Sequence, residues 1–463
     1  MAGNAPELHD LSPRRIIGFA CNQAFIFLTP FSGVVSSQFP FERFDLACVL
    51  LFMVLGFTAV RGFGLTRSER LFSRPLLYIY AVIAPIGLLQ VILFPGLGLA
   101  GVVLQGMFVG MSSALLLTAW GCAFGAKPTR VSVPEVFLGS LVGALVFLAF
   151  SLAPGSTVVI GAVCLLPLAS AVNIEIPKNE PHRSATKPDV ANGVTGKASA
   201  LSTKILAGTM LFGVAAGLML LRDGGLESMS PSSDQVSFIL YGAFLIGALS
   251  LLLSDGFGRG AALNKSYRLA VFIMMMGVLL VSWPLLAGSV LSGKAVVLAG
   301  YLGLEAVLIS LFLVLSEIMG IDCALSFSAG FSALFIGELI GLLTSVAVIA
   351  TIPDWSFAYV IVVLAGAIIL LSYVFLFTER DFDALSQLVS ESDSLEEAGA
   401  AIAERYGLSN RESEILMYAL RGRTSERIAQ ELVISKSTVD THLRRIYAKC
   451  GVHSRQELLD LAE

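Results

Sequence analysis

Twelve apolar stretches dominate this sequence, each near the roughly 20 residues that cross a bilayer core, and they restrict the chain to folds whose backbone hydrogen bonds close within helices. Their cores run 16–36, 44–60, 76–94, 99–119, 136–152, 158–171, 205–221, 236–253, 269–286, 295–315, 327–347 and 357–377. Irregular backbone in hydrocarbon would leave amides without partners, so the pattern predicts an all-α transmembrane bundle. Composition agrees: 56% of the 463 residues are hydrophobic, 14% are charged, and the mean hydropathy is +0.82. Disordered, collagenous and disulfide-scaffold chains are thereby excluded. Cys21, Cys48, Cys122, Cys164, Cys323 and Cys450 lie far apart, with no C-x-x-C and no nearby histidine to complete a zinc site, and read as reduced bystanders.

Lys and Arg flanking spans are retained on the cytoplasmic side. With the N-terminus inside, the inside connections carry sixteen cations, and the outside ones carry only Arg43, Arg222 and Lys294. An even number of spans returns the tail beyond 377 to the cytoplasm. The first stretch follows Arg14 and Arg15 and lacks a small-residue cleavage site, so it reads as a retained span rather than a signal peptide. The long polar connection 173–203 divides the bundle six plus six: a first half at 1–172, the linker, and a second half at 204–378. This layout is similar to the major facilitator superfamily, whose loops after the second and eighth spans carry a Gly, Asp and Arg-rich motif. Here the first loop reads RGFGLTRSERLFSR, with its arginines but no aspartate, and the second reads SDGFGRG, with Asp255, Gly258 and Arg259.

Ionisable groups in hydrocarbon are costly, which marks Glu305 and Glu338, at similar depth on consecutive antiparallel spans. Such a pair suits a cation, a proton or an amine-bearing ligand between the halves; the alternative is a protonated carboxyl bonding across helices as packing glue. Gln105, Gln90, Asn22 and Gln23 are candidates for the same cavity or for helix-to-helix bonds. The mid-membrane acids are confined to the second half, while Glu317 and Asp322 read as interfacial and solvated. Trp120, Trp283 and Trp355 fall near span ends, where indoles prefer the headgroup level. Met274, Met275 and Met276 read as a lipid or core face, because consecutive helical residues point in different directions.

Beyond an acidic linker at 379–403, residues 405–455 hold ten cations against five acids, which points to a polyanion partner. The linker, about thirty residues, is far below the roughly 100 of a receiver domain. Ser409 with Glu412 and Ser454 with Glu457 form capping boxes, Ser435 caps a third helix, and Gly422 and Gly451 act as stops; four short helices follow in 404–463. The second helix runs about 425–432 and the third about 436–449, joined at Val433-Ile434-Ser435 as a helix-turn-helix.

The string LSNRESEILMYALRGRTSERIAQELVISKSTVDTHLRRIYAKCGVHSRQELLDL resembles the LuxR-type DNA-binding domain at its opening L-S-x-R-E-x-E-I-L, its recognition helix I-S-x-x-T-V-x-x-H and its closing K-x-G-V-x-S-R. The resemblance implies base contacts from Asp440, Thr441, Arg444 and Arg445. Lys436, Ser437, Thr438, His442 and Arg427 suit phosphate clamping. Asp440 departs from the basic residue frequent there, and Thr424-Ser425-Glu426-Arg427 departs from the usual S-N-[KR]-E. Glu414 reads as an intradomain bridge and Val439 as core. Leu458, Leu459 and Leu461 either pair two copies as a homodimer on DNA or complete the domain's own core.

Together these readings predict a membrane-embedded, one-component bacterial transcriptional regulator, multi-pass in the inner membrane with both termini cytoplasmic. Its expected partners are double-stranded DNA, membrane lipids, an unidentified small-molecule or ion ligand, and RNA polymerase. The alternative is a secondary transporter with a regulatory DNA-binding tail. With no nucleotide-binding loop, metal cluster or triad in the sequence, neither an enzyme nor a cofactor is expected.

Overall fold

Each of the twelve apolar stretches falls on a helix in the structure, a computed structural model that describes residues 11–31, 41–63, 71–152, 156–175, 194–221, 231–254, 259–282, 292–319, 321–352, 356–376, 395 and 398–461. No strand occurs among these residues. The first half contains α1 (Pro13–Phe31), α2 (Phe44–Phe63), α3 (Arg74–Leu93), α4 (Gly98–Gly125), α5 (Thr129–Ser151) and α6 (Ser156–Asn173). The second contains α7 (Val194–Leu218), α8 (Pro231–Leu252), α9 (Arg259–Val281), α10 (Gly293–Met319), α11 (Cys323–Thr351) and α12 (Ser356–Leu371), which ends in a π-helical turn, Ser372–Leu376. By length and composition eight of these, α2 to α5 and α8 to α11, can cross a bilayer. The apolar parts of α6, α7 and α12 are shorter, and α1 opens Pro-Arg-Arg and carries Asn22 and Gln23, which lowers its hydropathy.

The packing repeats with a period of six helices. In the first half α1 lies against α5 and α6, and α3 against α4 and α6; in the second, α7 lies against α11 and α12, and α9 against α10 and α12. Between the halves, α2 packs on α11 and α5 on α8, while α4 meets α11 and α5 meets α10. Adding six to each helix number exchanges the members of each pair, as two halves related by an approximate two-fold axis require. Aromatic side chains fill both seams. Phe57 stacks on Phe331 and Phe335 with centroids 5.9 and 6.0 Å apart, and Phe147 stacks on Phe238 at 3.8 Å. Leu165, Phe272, Leu279 and Val363 are exposed on the outside, as a lipid-facing surface demands.

Water does not drive helices together in lipid, so close approach depends on small residues. The crossing of α7 and α11 shows this most sharply. A methyl group at Gly213 or Gly217 would overlap the carbonyl oxygen of Leu334 or Glu338, and one at Gly337 or Gly341 would overlap that of Met210 or Val214. Both helices thus present a G-x-x-x-G face to the other. In the first half the equivalent crossing sets Gly139 and Gly143 of α5 against α1, where a methyl at Gly143 would stand 3.0 Å from the Ala20 carbonyl oxygen.

One sequence expectation is corrected. Trp120 is fully buried rather than at the headgroup level: α4 continues to Gly125, and the indole Nε1 donates to Ser170 Oγ of α6 at 2.8 Å, beside Phe19 and Phe124. Trp283 and Trp355 lie outside the described residues. The first half holds a buried acid of its own near a helix start. Glu135, on the second turn of α5, is fully buried, pairs with Arg15 of α1 at 2.8 Å and accepts from the Ser12 amide. Met274 is core and Met276 exposed, so the methionine run does divide between faces.

Gly217→Val should destabilise the detergent-solubilised protein by about 3 kcal/mol or more, since backbone on the facing helix cannot yield. Gly247→Ala, at a position with nothing within 4 Å, should not. Thermal unfolding of both variants checks the pair.

Candidate functional site

The tail folds around its own apolar core of Ile415, Leu416, Ile428, Val439, Leu443, Ile446 and Leu458. Its helices are α13 (Asn410–Leu420), α14 (Ser425–Glu431), α15 (Lys436–Cys450) and α16 (Arg455–Asp460). Ile402 and Leu395 pack on that core, so the folded unit begins upstream of the expected boundary at 404. The rest of the acidic linker, 379–394, 396 and 397, lies outside the described residues. Ser409 and Glu412 form the capping box of α13, Ser435 and Ser454 cap α15 and α16, and Thr424 caps α14 by accepting from the Arg427 amide. Gly451 closes α15 in the left-handed conformation, at φ 68°. Val433, in the turn before α15, is also left-handed, at φ 52°, which costs a β-branched residue.

Several cations of the tail turn out to hold the fold. Lys449 donates to Glu412 at 2.7 Å and to the Gly407 carbonyl at 3.1 Å, tying the end of α15 to the start of α13. Arg455 donates to the carbonyls of Ala419 and Arg423 at the end of α13, and Arg411 to Leu432 at the end of α14 and to Glu414. The Lys449 ammonium and the Ser409 amide hold the buried Glu412 carboxyl down at about 2. Leu458 is fully buried core; Leu459 and Leu461 are only partly covered.

On α15 the exposed side chains include Lys436, Ser437, Thr441, Arg444 and Arg445, with Thr438, Asp440 and His442 half-buried at the edges. Arg444 and Arg445 make no ion pair among the described residues. Lys436 is paired with Glu426 of α14, which raises the ammonium and lowers the carboxyl from their ordinary values. Ser437 and Thr438 share the Ser435 hydroxyl at 2.7 and 2.8 Å, and Thr441 donates to the Ser437 carbonyl, leaving its methyl outward. Arg427 is half-buried on α14, and the His442 Nδ1 is buried without a partner. The arginines and Thr441 thus form one exposed strip suited to a groove, with Lys436 and Ser437 at the helix start.

In the bundle, Glu305, Glu338 and Gln105 line one cavity of about 100 Å³. Its walls come from the end of α1, the first halves of α2, α4 and α10, the end of α7 and the middle of α11, so it lies toward the bundle end opposite the terminus of α12. Tyr301 donates to Glu338 at 3.0 Å, one turn before Glu305. Arg43, Asp45 and Ser113, all from the first half, also reach the cavity. Gln90 is elsewhere: its amide donates to the Gly101 carbonyl, joining α3 to α4. Asn22 and Gln23 are buried on α1 outside the cavity. Glu317 and Asp322 are not merely solvated, since Glu317 accepts from the Thr129 amide at the start of α5 and Asp322 caps α11. Asp45 and Tyr301 were readable beforehand, the first as an acid at a helix start and the second from its i, i+4 relation to Glu305.

Residues 407–462 match the bacterial regulatory proteins of the luxR family. The carboxy-terminal domain is a LuxR-type helix-turn-helix. It is 46% identical over 56 residues to the Fimbriae Z protein of Escherichia coli (strain K12), an alignment covering 12% of this chain and 27% of that protein. It is 39% identical over 87 residues to the uncharacterized response regulatory protein YgeK of the same strain, covering 18% of this chain and 59% of that protein. The chain therefore spans about a quarter of the length of the first of these curated relatives and under two thirds of the second. The crystal structure of the human organic anion transporter MFSD10 (TETRAN) overlays with a TM-score of 0.51 at 14% identity, covering 80% of this chain and 100% of that one. At that identity the likeness is one of fold alone.

Two outcomes follow for the LuxR-type domain. Because the Glu412 carboxyl titrates near 2 when folded and near its ordinary value of 4.5 when unfolded, its stabilisation is complete above about 4.5 and lost as the pH falls toward 2. Glu412→Gln should therefore destabilise the domain by about 1–2 kcal/mol at pH 7, with the gap closing over that window in thermal melts. Val433→Gly should raise stability by about 1 kcal/mol in the same assay, because glycine enters the left-handed region freely.

Proposed function

We propose that the chain is a membrane-embedded, one-component bacterial transcription regulator. The LuxR-type domain binds promoter DNA, and the bundle, crossing the inner membrane twelve times with both termini cytoplasmic, senses a small molecule or ion. The observation that carries this reading is the exposed strip of Thr441, Arg444 and Arg445 on a helix-turn-helix that shares one polypeptide with a two-halved bundle containing a polar cavity. Arginine addresses guanine bidentately in the major groove, and the threonine methyl meets thymine. The acids and cations that serve the domain's own fold, Glu412, Lys449, Arg411 and Arg455, are the same residues that open and close the family pattern, so the motif fixes the scaffold and leaves α15 to read sequence. With Leu458 buried, a homodimer on an inverted repeat would use Leu459 and Leu461. RNA polymerase is the further partner such a regulator addresses.

A secondary transporter with a regulatory tail is the second reading. It gains support from Arg43 and Asp45, which bring charge from the first half to the cavity beside Glu305 and Glu338.

Promoter footprinting and vesicle uptake on one preparation of the intact protein separate the two. A regulator protects DNA in a salt-dependent manner and moves no solute. Arg444→Ala should weaken specific binding by about 1–3 kcal/mol and relax discrimination at one base pair, as read by footprint titration. A tail without salt-sensitive affinity for any duplex would end the regulator reading.

A further inference from the structure

We infer that the cavity between the halves is a site for a small organic ammonium ion, a protonated primary amine with a short apolar chain. The inference deepens the sensing role proposed above and rests on it. Glu305 and Glu338 are 8% and 6% exposed, and both face this cavity. With Asp45 they set three acids against one cation, Arg43, on its wall. The independent observation is Gln105. It is 2% exposed, it lines the same cavity, and its Oε1 has no hydrogen-bond partner. A buried amide oxygen left without a donor is costly, so the cavity lacks a donor that an occupant would supply.

The wall chemistry selects among occupants. Tyr301 already spends its hydroxyl proton on Glu338, so apart from Arg43 and Ser113 the polar wall offers the carboxyl groups of Glu305, Glu338 and Asp45 and the amide oxygen of Gln105. An ammonium group carries three N–H donors and a positive charge, which suits a wall with more acids than cations. An anion would meet the carboxylates. A chelated divalent metal finds no group of three His, Cys, Asp or Glu side chains among the described residues. The remaining wall, including Phe27, Leu50, Leu298 and Phe335, is apolar and suits a hydrocarbon chain rather than a hydrated inorganic ion. A cavity of about 100 Å³ limits that chain to a few carbons.

The test uses the full-length protein in nanodiscs, with thermal unfolding and promoter footprinting read on the same sample. Ethyl-, n-butyl- and n-hexylammonium chloride are titrated against the matching alcohols and against potassium chloride at equal ionic strength. At least one ammonium should raise Tm saturably, while the alcohols and potassium leave it unchanged. Glu305→Gln and Glu338→Gln should abolish the shift, and Gln105→Leu should weaken the apparent Kd by about tenfold. A cooperative melt of each unliganded variant, within a few degrees of the unsubstituted protein, shows that its bundle is folded. The inference is overturned if no ammonium shifts Tm, if an alcohol or potassium does so equally, or if the shift survives in both carboxylate variants. Intact footprinting with no ammonium shift removes the ligand and leaves the regulator; loss of footprinting by the unsubstituted protein removes the regulator, whatever the melts show.

Discussion

The backbone-to-backbone crossing of α7 and α11 is the contact on which the second half depends. In water two such helices would be pressed together by their apolar faces, but lipid tails solvate leucine as well as a neighbouring helix does. What remains is dispersion at short range, and it needs surfaces without side chains. Gly213 and Gly217 on one helix, and Gly337 and Gly341 on the other, provide them. Glu338 lies between the two glycines of α11, and its own carbonyl faces Gly217. The carboxylate that lines the cavity is therefore carried on the most tightly held backbone in the half, which fixes its depth and direction at little entropic cost.

The tail solves the opposite problem, a small domain in water with a modest core. Its four helices are short, so end effects weigh heavily, and nearly every end is closed by a side chain: Ser409, Thr424, Ser435 and Ser454 at the starts, Arg411 and Arg455 at the finishes. Lys449 and Glu412 then lock α15 against α13. This division of labour leaves Arg444 and Arg445 outside the network. Charges that stabilise the fold are satisfied within it, and those kept for a partner are not.

Much of this was legible in the sequence because the signals are local. Each apolar run falls on a helix among the described residues, and the serine caps located the starts of α13, α15 and α16 to within a residue. The failures share a cause, which is that burial in a bundle depends on a neighbour's register. Trp120 looked terminal because the apolar run stopped at Ala119, yet α4 continues through Phe124 to Gly125. Glu135 fell just outside its run and was missed, although Arg15 on α1 neutralises it across 120 positions. Gln90 and Gln105 looked alike; one bonds the next helix and the other faces a cavity, and only the packing of α3 against α4 decides which.

The two ends of the bundle are not equivalent, and that asymmetry bears on how a cavity could speak to a tail. At the end where α12 finishes, the halves are in contact. The Thr129 amide meets Glu317, Cys323 presses on Gly125, and Phe327 packs on Gly121. The cavity opens between the same halves toward the other end, with walls from α1, α2 and α4 on one side and from α7, α10 and α11 on the other. Two rigid halves that rock about a shared seam cannot tighten one end without loosening the other. An occupant that touched groups on both halves would favour the arrangement that brings those groups together, by no more than its difference in affinity for the two arrangements. The last bundle helix, α12, finishes at that end, so a change there acts where the sequence continues to the LuxR-type domain.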